Sequence, residues 1–211
     1  QAAADLMQQM IDKSENPPAD SLMEIYLDSN IGPIFVTQDM QKLGLENTFL
    51  AGHFYLGAPL LQRYSTPANQ RFDYSTDPDV YNQTTPADLG MLLDDIYQCA
   101  KNGGGTFSAV FEGGISQSEC QLMATYLTQN KIAVLLEAGL PDGTNFGHKH
   151  GWITEADGLI HSILDAGIVY SRYRFAETVI AMYQPTQLIF DVANLLAAQM
   201  STAIFNYFNI S

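Results

Sequence analysis

The residue pattern changes character at Pro141-Asp142-Gly143, and that change constrains the fold more than any other feature of the 211-residue chain. Before it, apolar residues recur at helical spacing. After it come three stretches, 145–153, 163–171 and 177–183, rich in Ile, Val and Tyr, which read as strands. Their connections are short, and short connections favour an antiparallel meander over parallel strands that need long crossovers. Residues 189–208 then read as a closing helix. Its Val192, Leu195, Leu196, Ile204 and Phe205 are expected to pack on the sheet, with Asp191, Asn194 and Gln199 facing outward. Helices followed by a small sheet and a last helix give the α+β class. The expected organisation is a mostly helical lobe over 1–144 and a sheet lobe over 145–211, packed as one domain.

Within the first lobe, Leu6, Met7, Met10 and Ile11 place a helix over 2–13 that stops at Pro17-Pro18. A second helix follows over 19–27, with Leu22, Met23, Tyr26 and Leu27 on one side, and a short third over 39–43 closes at Gly44. Residues 52–84 have no clear period and read as a long irregular loop, the kind of segment that often carries function. Thr85 is a candidate N-cap with Pro86 in the first turn, opening a helix whose inward stripe is Leu89, Leu92, Leu93, Ile96 and Tyr97. Gly103-Gly104-Gly105 ends it. Ser116 and Glu119 form a candidate capping box for another helix, with Leu122, Met123, Tyr126 and Leu127 inward. Residues 132–136 fit a short helix or a strand.

A formal charge of −14, a pI near 4.3 and only nine Lys and Arg residues make nucleic acid an unlikely partner. No apolar run reaches the roughly 20 residues of a membrane span, and the N-terminal residues do not reveal a compartment. Cys99 and Cys120 fall in neighbouring helices; their first reading is two small buried thiols, with a disulfide as the alternative in an exported protein.

Two short segments carry chemistry. Ser14-Glu15-Asn16 precedes Pro17-Pro18, and a residue before proline is disfavoured in the α region. Asn16 is therefore expected to be extended, projecting with Ser14 into a cleft. In His148-Lys149-His150-Gly151-Trp152, strand alternation puts Lys149 and Gly151 on one face and His148, His150 and Trp152 on the other. Lys149 can offer a fixed charge to a carboxylate, and Gly151 lets a ligand approach the backbone. His148 and His150 also have the spacing of zinc ligands, with Asp165 or His161 as a third, but nothing in the spacing demands it, and no metal or cofactor is expected. Asp165 is expected to make structural hydrogen bonds beside the cleft.

Together these segments resemble the Ser-Asp-Asn and Lys-Thr-Gly motifs of class A serine β-lactamases and penicillin-binding proteins, and residues 164–170 resemble the strand that follows. The two motifs stand in the family's order, 135 residues apart. The resemblance covers the C-terminal two-thirds of that fold. It implies that Ser14 relays a proton, that Lys149 supplies the charge, that Asn16, His150 and Gly151 contact substrate, and that the Trp152 N–H is an oxyanion donor. Two family features are not among these residues. No Ser is followed by Lys three positions later, so the nucleophile is absent, and residues 52–111 contain no Glu to release an acyl-enzyme. Asp73, Asp77 or Asp79 would need a different geometry. The expected function is therefore part of a serine hydrolase or acyl-transferase acting on β-lactams or D-Ala-D-Ala peptides, inert alone. The alternative is a non-catalytic module binding cell-wall peptide or a protein. The resemblance further implies an extracytoplasmic location and a sheet edge covered by an N-terminal segment or a second chain.

Overall fold

The computed structural model describes residues 2–73, 78–130, 132–170 and 175–209. Helices α1 (Ala2–Asp12), α2 (Asn16–Tyr26) and α3 (Gly32–Lys42) come first, then the two-residue strands β1 (Phe49–Leu50) and β2 (Asn82–Gln83). Helices α4 (Pro86–Asn102), α5 (Thr106–Phe111) and α6 (Gln117–Leu127) complete the helical part. A 3-10 turn over Glu137–Gly139 leads into β3 (Asn145–Trp152), β4 (Ser162–Tyr170) and β5 (Phe175–Tyr183), and α7 (Phe190–Asn209) closes the chain. The sheet is the antiparallel meander β3-β4-β5. Ser171, at the end of the second expected strand, lies outside the described residues.

Helix α2 begins three residues earlier than expected. Asn16 is helical and Glu15 takes the extended conformation instead, at φ −86° and ψ 130°. Prolines are tolerated in a first turn, whose N–H groups have no intrahelical partner, and here Pro18 and Asp20 are buried. Asp20 accepts a hydrogen bond from the Phe54 N–H at 2.8 Å. Helix α3 is also longer than expected: Asp28 accepts from the Asn30 and Ile31 N–H groups, and Pro33 starts the helix just beyond.

The long loop is pinched at its neck by β1 and β2, with Phe49 opposite Gln83. Buried Asp88 holds the same neck, accepting from the Asn47 N–H and the Thr48 hydroxyl. Thr85 caps α4, Gly103 ends it at φ 69°, and Ser116 and Glu119 form a complete capping box on α6. Helix α5 was not expected, because the Gly-rich run before it hides a six-residue helix. Cys99 and Cys120 form a disulfide between α4 and α6, so the free-thiol reading is corrected.

Three apolar clusters hold these layers together. One joins α4, α5 and α6 around Ile96, Phe107 and the disulfide. A second, with Leu93, Leu127, Ala166 and Ile168, seats the sheet on the helices. The third lies between the other sheet face, the 3-10 turn and α7. There the expected helix face holds for Phe205, which packs against the cluster, and is wrong for the first half of the helix. Ala193, Ala197 and Ser201 are buried, whereas Val192, Leu195 and Leu196 are exposed. Small residues win because the backbone of the turn comes very close: a Cβ on Gly139 would sit 1.9 Å from the Ala198 carbonyl oxygen. Asn194 also turns inward and accepts from the Leu135 N–H at 2.6 Å. Asp191 and Gln199 are exposed.

Candidate active site

The α1–α2 junction and strand β3 meet across a cleft. Lys149 Nζ donates to Ser14 Oγ at 2.6 Å and to its neighbour's carbonyl, His150 O, at 2.8 Å. The sheet register explains how Lys149 reaches there. It lies opposite Ala166, whose side chain belongs to the cluster facing the helices, so the amine points toward the helical lobe. Along that face of β3 the packing loosens in steps. A Cβ on Gly147 would stand 3.2 Å from Thr128 and 3.3 Å from Leu127, whereas a Cβ on Gly151 would meet nothing within 4 Å. Lys149 sits between the two, at the mouth of an open space.

Ser14 is exposed and held at φ 58°, the left-handed region. That conformation costs a non-glycine residue about 1 kcal/mol. It lets the chain turn between α1 and α2 while presenting the hydroxyl to β3. Asn16 is exposed at the start of α2, in a helical position and not in the extended alternation expected for Ser14 and Asn16.

Burial pulls the Lys149 amine below the ordinary lysine range, and the negative charge of Asp165 on the adjacent strand pulls the other way. The amine is thus partly desolvated and still paired to a hydroxyl, an arrangement suited to holding an anion or handling a proton.

The side chains of His150 and Trp152 are not brought to Ser14. They lie on the opposite face, where His150 stacks on Trp152 at 4.9 Å and Trp152 packs on Phe190 at 4.8 Å. His150 is only 4% exposed, its Nε2 has no hydrogen-bond partner, and its pKa falls to about 4. Burial is the main cause, followed by the Lys149 charge, with Asp165 opposing. The ring is therefore neutral at physiological pH, and only the main chain of residues 150–152 is available to the cleft.

A polar chain lies directly behind the strand. His148 Nδ1 is 2.9 Å from Asp165 Oδ1 and its Nε2 is 3.1 Å from Glu137 Oε2, while the Leu136 N–H donates to Asp165 Oδ2. Glu137 had no sequence signal, because it lies between the segment 132–136 and the first strand and belongs to no expected element. Both ring nitrogens of His148 are thus engaged by carboxylates, and those of His161 by Asp157 and the Gln184 carbonyl. Among the described residues no group of three His, Cys, Asp or Glu could hold a metal. In the loop, Asp73 pairs with Arg71, and Asp79 accepts from the Tyr81 N–H and the Asn82 amide. Both serve the loop's own structure; Asp77 lies outside the described residues.

The sequence of residues 2–208 matches the family model described as "Beta-lactamase enzyme family". The chain belongs to the beta-lactamase enzyme family. Among solved structures, this family member is similar to PBP-A, at 21% identity and a TM-score of 0.67, covering 98% of this chain and 61% of that one. It is also similar to the TLA-3 extended-spectrum β-lactamase, at 19% and 0.69, covering 97% and 64%, and to a β-lactamase from Chitinophaga pinensis, at 15% and 0.70, covering 98% and 65%. A PBP-A mutant was solved as its acyl-enzyme with penicillin G. The chain therefore spans less than two-thirds of the length of these structures. No curated protein sequence matches it. Among the described residues no helix is long and apolar enough to cross a membrane.

Proposed function

We propose that this β-lactamase family chain forms the larger part of a serine acyl-transferring hydrolase acting on β-lactams or D-Ala-D-Ala peptides. The observation that carries the reading is the 2.6 Å hydrogen bond from Lys149 to Ser14, made between residues 135 positions apart. In this reading a serine of a Ser-x-x-Lys segment outside these 211 residues attacks the substrate carbonyl, the C–N bond breaks, and an ester forms. Ser14 passes a proton to the departing nitrogen, and Lys149 holds its hydroxyl in place and faces the substrate carboxylate. Asn16 hydrogen-bonds the substrate's amide side chain. The main chain at His150 and Gly151 lines the open end of the cleft, and the Trp152 N–H is one of two oxyanion donors, the other belonging to the nucleophile.

These 211 residues alone are inert in this reading. Incubation with a fluorescent penicillin, followed by intact mass measurement, is expected to show no adduct. Acylation of the isolated chain would overturn the claim by revealing a nucleophile among these residues. The Cys99–Cys120 disulfide supports an oxidising, extracytoplasmic setting.

The lack of a Glu over residues 52–111 favours a second reading, a binding module that keeps the cleft for cell-wall peptide or a protein partner without chemistry. A D-Ala-D-Ala dipeptide titrated into the chain and followed by NMR would then shift residues 14–16 and 149–152, and Lys149→Ala would abolish the shifts. A Ser-x-x-Lys segment encoded upstream decides for the enzyme.

A further inference from the structure

We infer that the groove between α4, α6 and the far end of the sheet is a carbohydrate site, shaped for a β-linked oligosaccharide of N-acetylated amino sugars. The inference goes beyond the proposed function, because no residue of the Ser14–Lys149 cleft takes part in it.

The groove has a volume of about 360 Å³. One wall is the end of α4, with Tyr97, Ala100 and Lys101, and the other is α6, with Gln121, Ala124 and Thr128. The sheet contributes Asn145 and Tyr170, which stand opposite each other where β3 begins and β4 ends. Alternation puts Asn145 on the same face of β3 as Gly147 and Lys149, with roughly 13 Å of strand between Asn145 and Lys149. Between them the chain is closed: a Cβ on Gly147 would already crowd Thr128 and Leu127. Groove and cleft are therefore separate sites on one face of the sheet.

The two walls are fixed before any ligand arrives. Cys99 and Cys120, each next in sequence to a lining residue, join α4 to α6 through the disulfide. Gln121 Nε2 also donates to the Ala100 carbonyl at 3.1 Å, and Gln117 donates to the Ala100 and Lys101 carbonyls. A groove held in this way loses little freedom on binding.

The lining selects the ligand. The rings of Tyr97 and Tyr170, with centroids 6.3 Å apart, offer faces of negative quadrupole that suit the weakly positive C–H faces of a pyranose. Neither the Asn145 amide nor the Tyr170 hydroxyl has a hydrogen-bond partner among the described residues, so both are free to meet sugar hydroxyls. Ala100 and Ala124 add a small apolar bed beside these amide and hydroxyl groups, and a methyl group next to an amide is what an acetamido substituent presents. No carboxylate lines the groove, and its one charged residue, Lys101, holds its amine over the Tyr97 ring at 5.4 Å. A metal ion or a multiply charged anion is thereby disfavoured. Lys101, Gln121 and Asn145 are exposed, which leaves the groove open to solvent and able to take a chain longer than one sugar.

The test is to titrate a β-linked N-acetylglucosamine trimer into the isotopically labelled chain and follow the amides by NMR. Saturable shifts are expected at residues 97–101, 121–128, 145 and 170, with the corresponding glucose trimer about tenfold weaker. Asn145→Ala/Tyr170→Phe, which removes two polar groups and keeps the ring, is expected to weaken binding about tenfold with unchanged circular dichroism, and Tyr97→Leu to weaken it similarly. A second titration with the N-acetylglucosamine–N-acetylmuramic acid disaccharide separates two sources of the same chemistry: tighter binding than the trimer assigns a cell-wall glycan, weaker binding a chitin-type one, and either supports the site. No saturation with either sugar, equal binding of the glucose trimer, full binding by the double variant, or shifts confined to residues 14–16 and 149–152 would overturn the inference. No β-lactam or peptide enters the experiment, so a silent groove removes this site and leaves the acyl-transfer reading standing.

Discussion

Replacing Glu177 by Gln should flatten part of the chain's pH–stability curve, and the size of the effect follows from where β5 sits. Glu177 lies opposite Ile168 in the β4–β5 register, so it faces α4, where Asp94 and Asp95 lie. One of its carboxylate oxygens is buried without a hydrogen-bond partner. Burial, followed by repulsion from Asp94 and Asp95, raises its pKa from 4.5 to about 7. A group whose folded pKa exceeds its unfolded one binds more protons in the folded state between the two values. Its stabilising contribution is complete below about pH 4.5 and is lost as pH rises through about 7. At roughly 1.4 kcal/mol per pH unit, reduced for solvent screening of a partly exposed carboxylate, the loss amounts to about 1–2 kcal/mol. Gln keeps the shape and does not titrate. Urea unfolding from pH 4.5 to 8 on both proteins gives a difference curve in which groups that do not interact with Glu177 cancel. That curve should fall by about 1–2 kcal/mol in favour of Gln and level off near pH 8. Parallel stability curves would refute the placement of Glu177 against α4.

Two further perturbations test other parts of the structure. Reducing the Cys99–Cys120 bond, which closes a separation of 21 residues, should cost about 3 kcal/mol by loop-closure entropy; an unchanged urea midpoint in reductant would contradict the link between α4 and α6. Ser14→Gly should melt higher than Ser14→Ala by the equivalent of about 1 kcal/mol, since only glycine relieves the strain at φ 58°. Equal melting temperatures would show that the α1–α2 turn does not hold that conformation.

The parts of this fold that were legible in the sequence are those in which one residue's chemistry acts locally. Thr85, Gly103 and the Ser116–Glu119 pair each satisfy or end a helix within a few residues, and β3, β4 and β5 announce themselves by composition. Errors arose where a distant contact decided. The first half of α7 was misread because hydrophobicity was taken to define its inner face, whereas the close approach of Gly139 to the Ala198 backbone favours small residues there. Asn16 was misread because the pre-proline preference is small beside the packing of the first turn of α2. The meeting of Ser14 with Lys149 was legible through resemblance alone; neither segment contains any local sign of the other.

Strand β3 shows why a lysine can work at this position. Its two faces are divided by alternation into an open cleft and a closed interior, and the closed side is polar: His148 is clasped between Asp165 and Glu137, with Asp165 in turn fixed by the Leu136 N–H. A desolvated amine on the cleft side would tend to give up its proton. The carboxylate of Asp165 opposes that tendency without touching the cleft. Leu135, held at φ 55° and tied through its N–H to Asn194 of α7, fixes the backbone that carries the donor to Asp165. A chain of hydrogen bonds thus runs from Asn194 of α7 through the Leu135–Leu136 turn to Asp165, the carboxylate that faces Lys149 electrostatically.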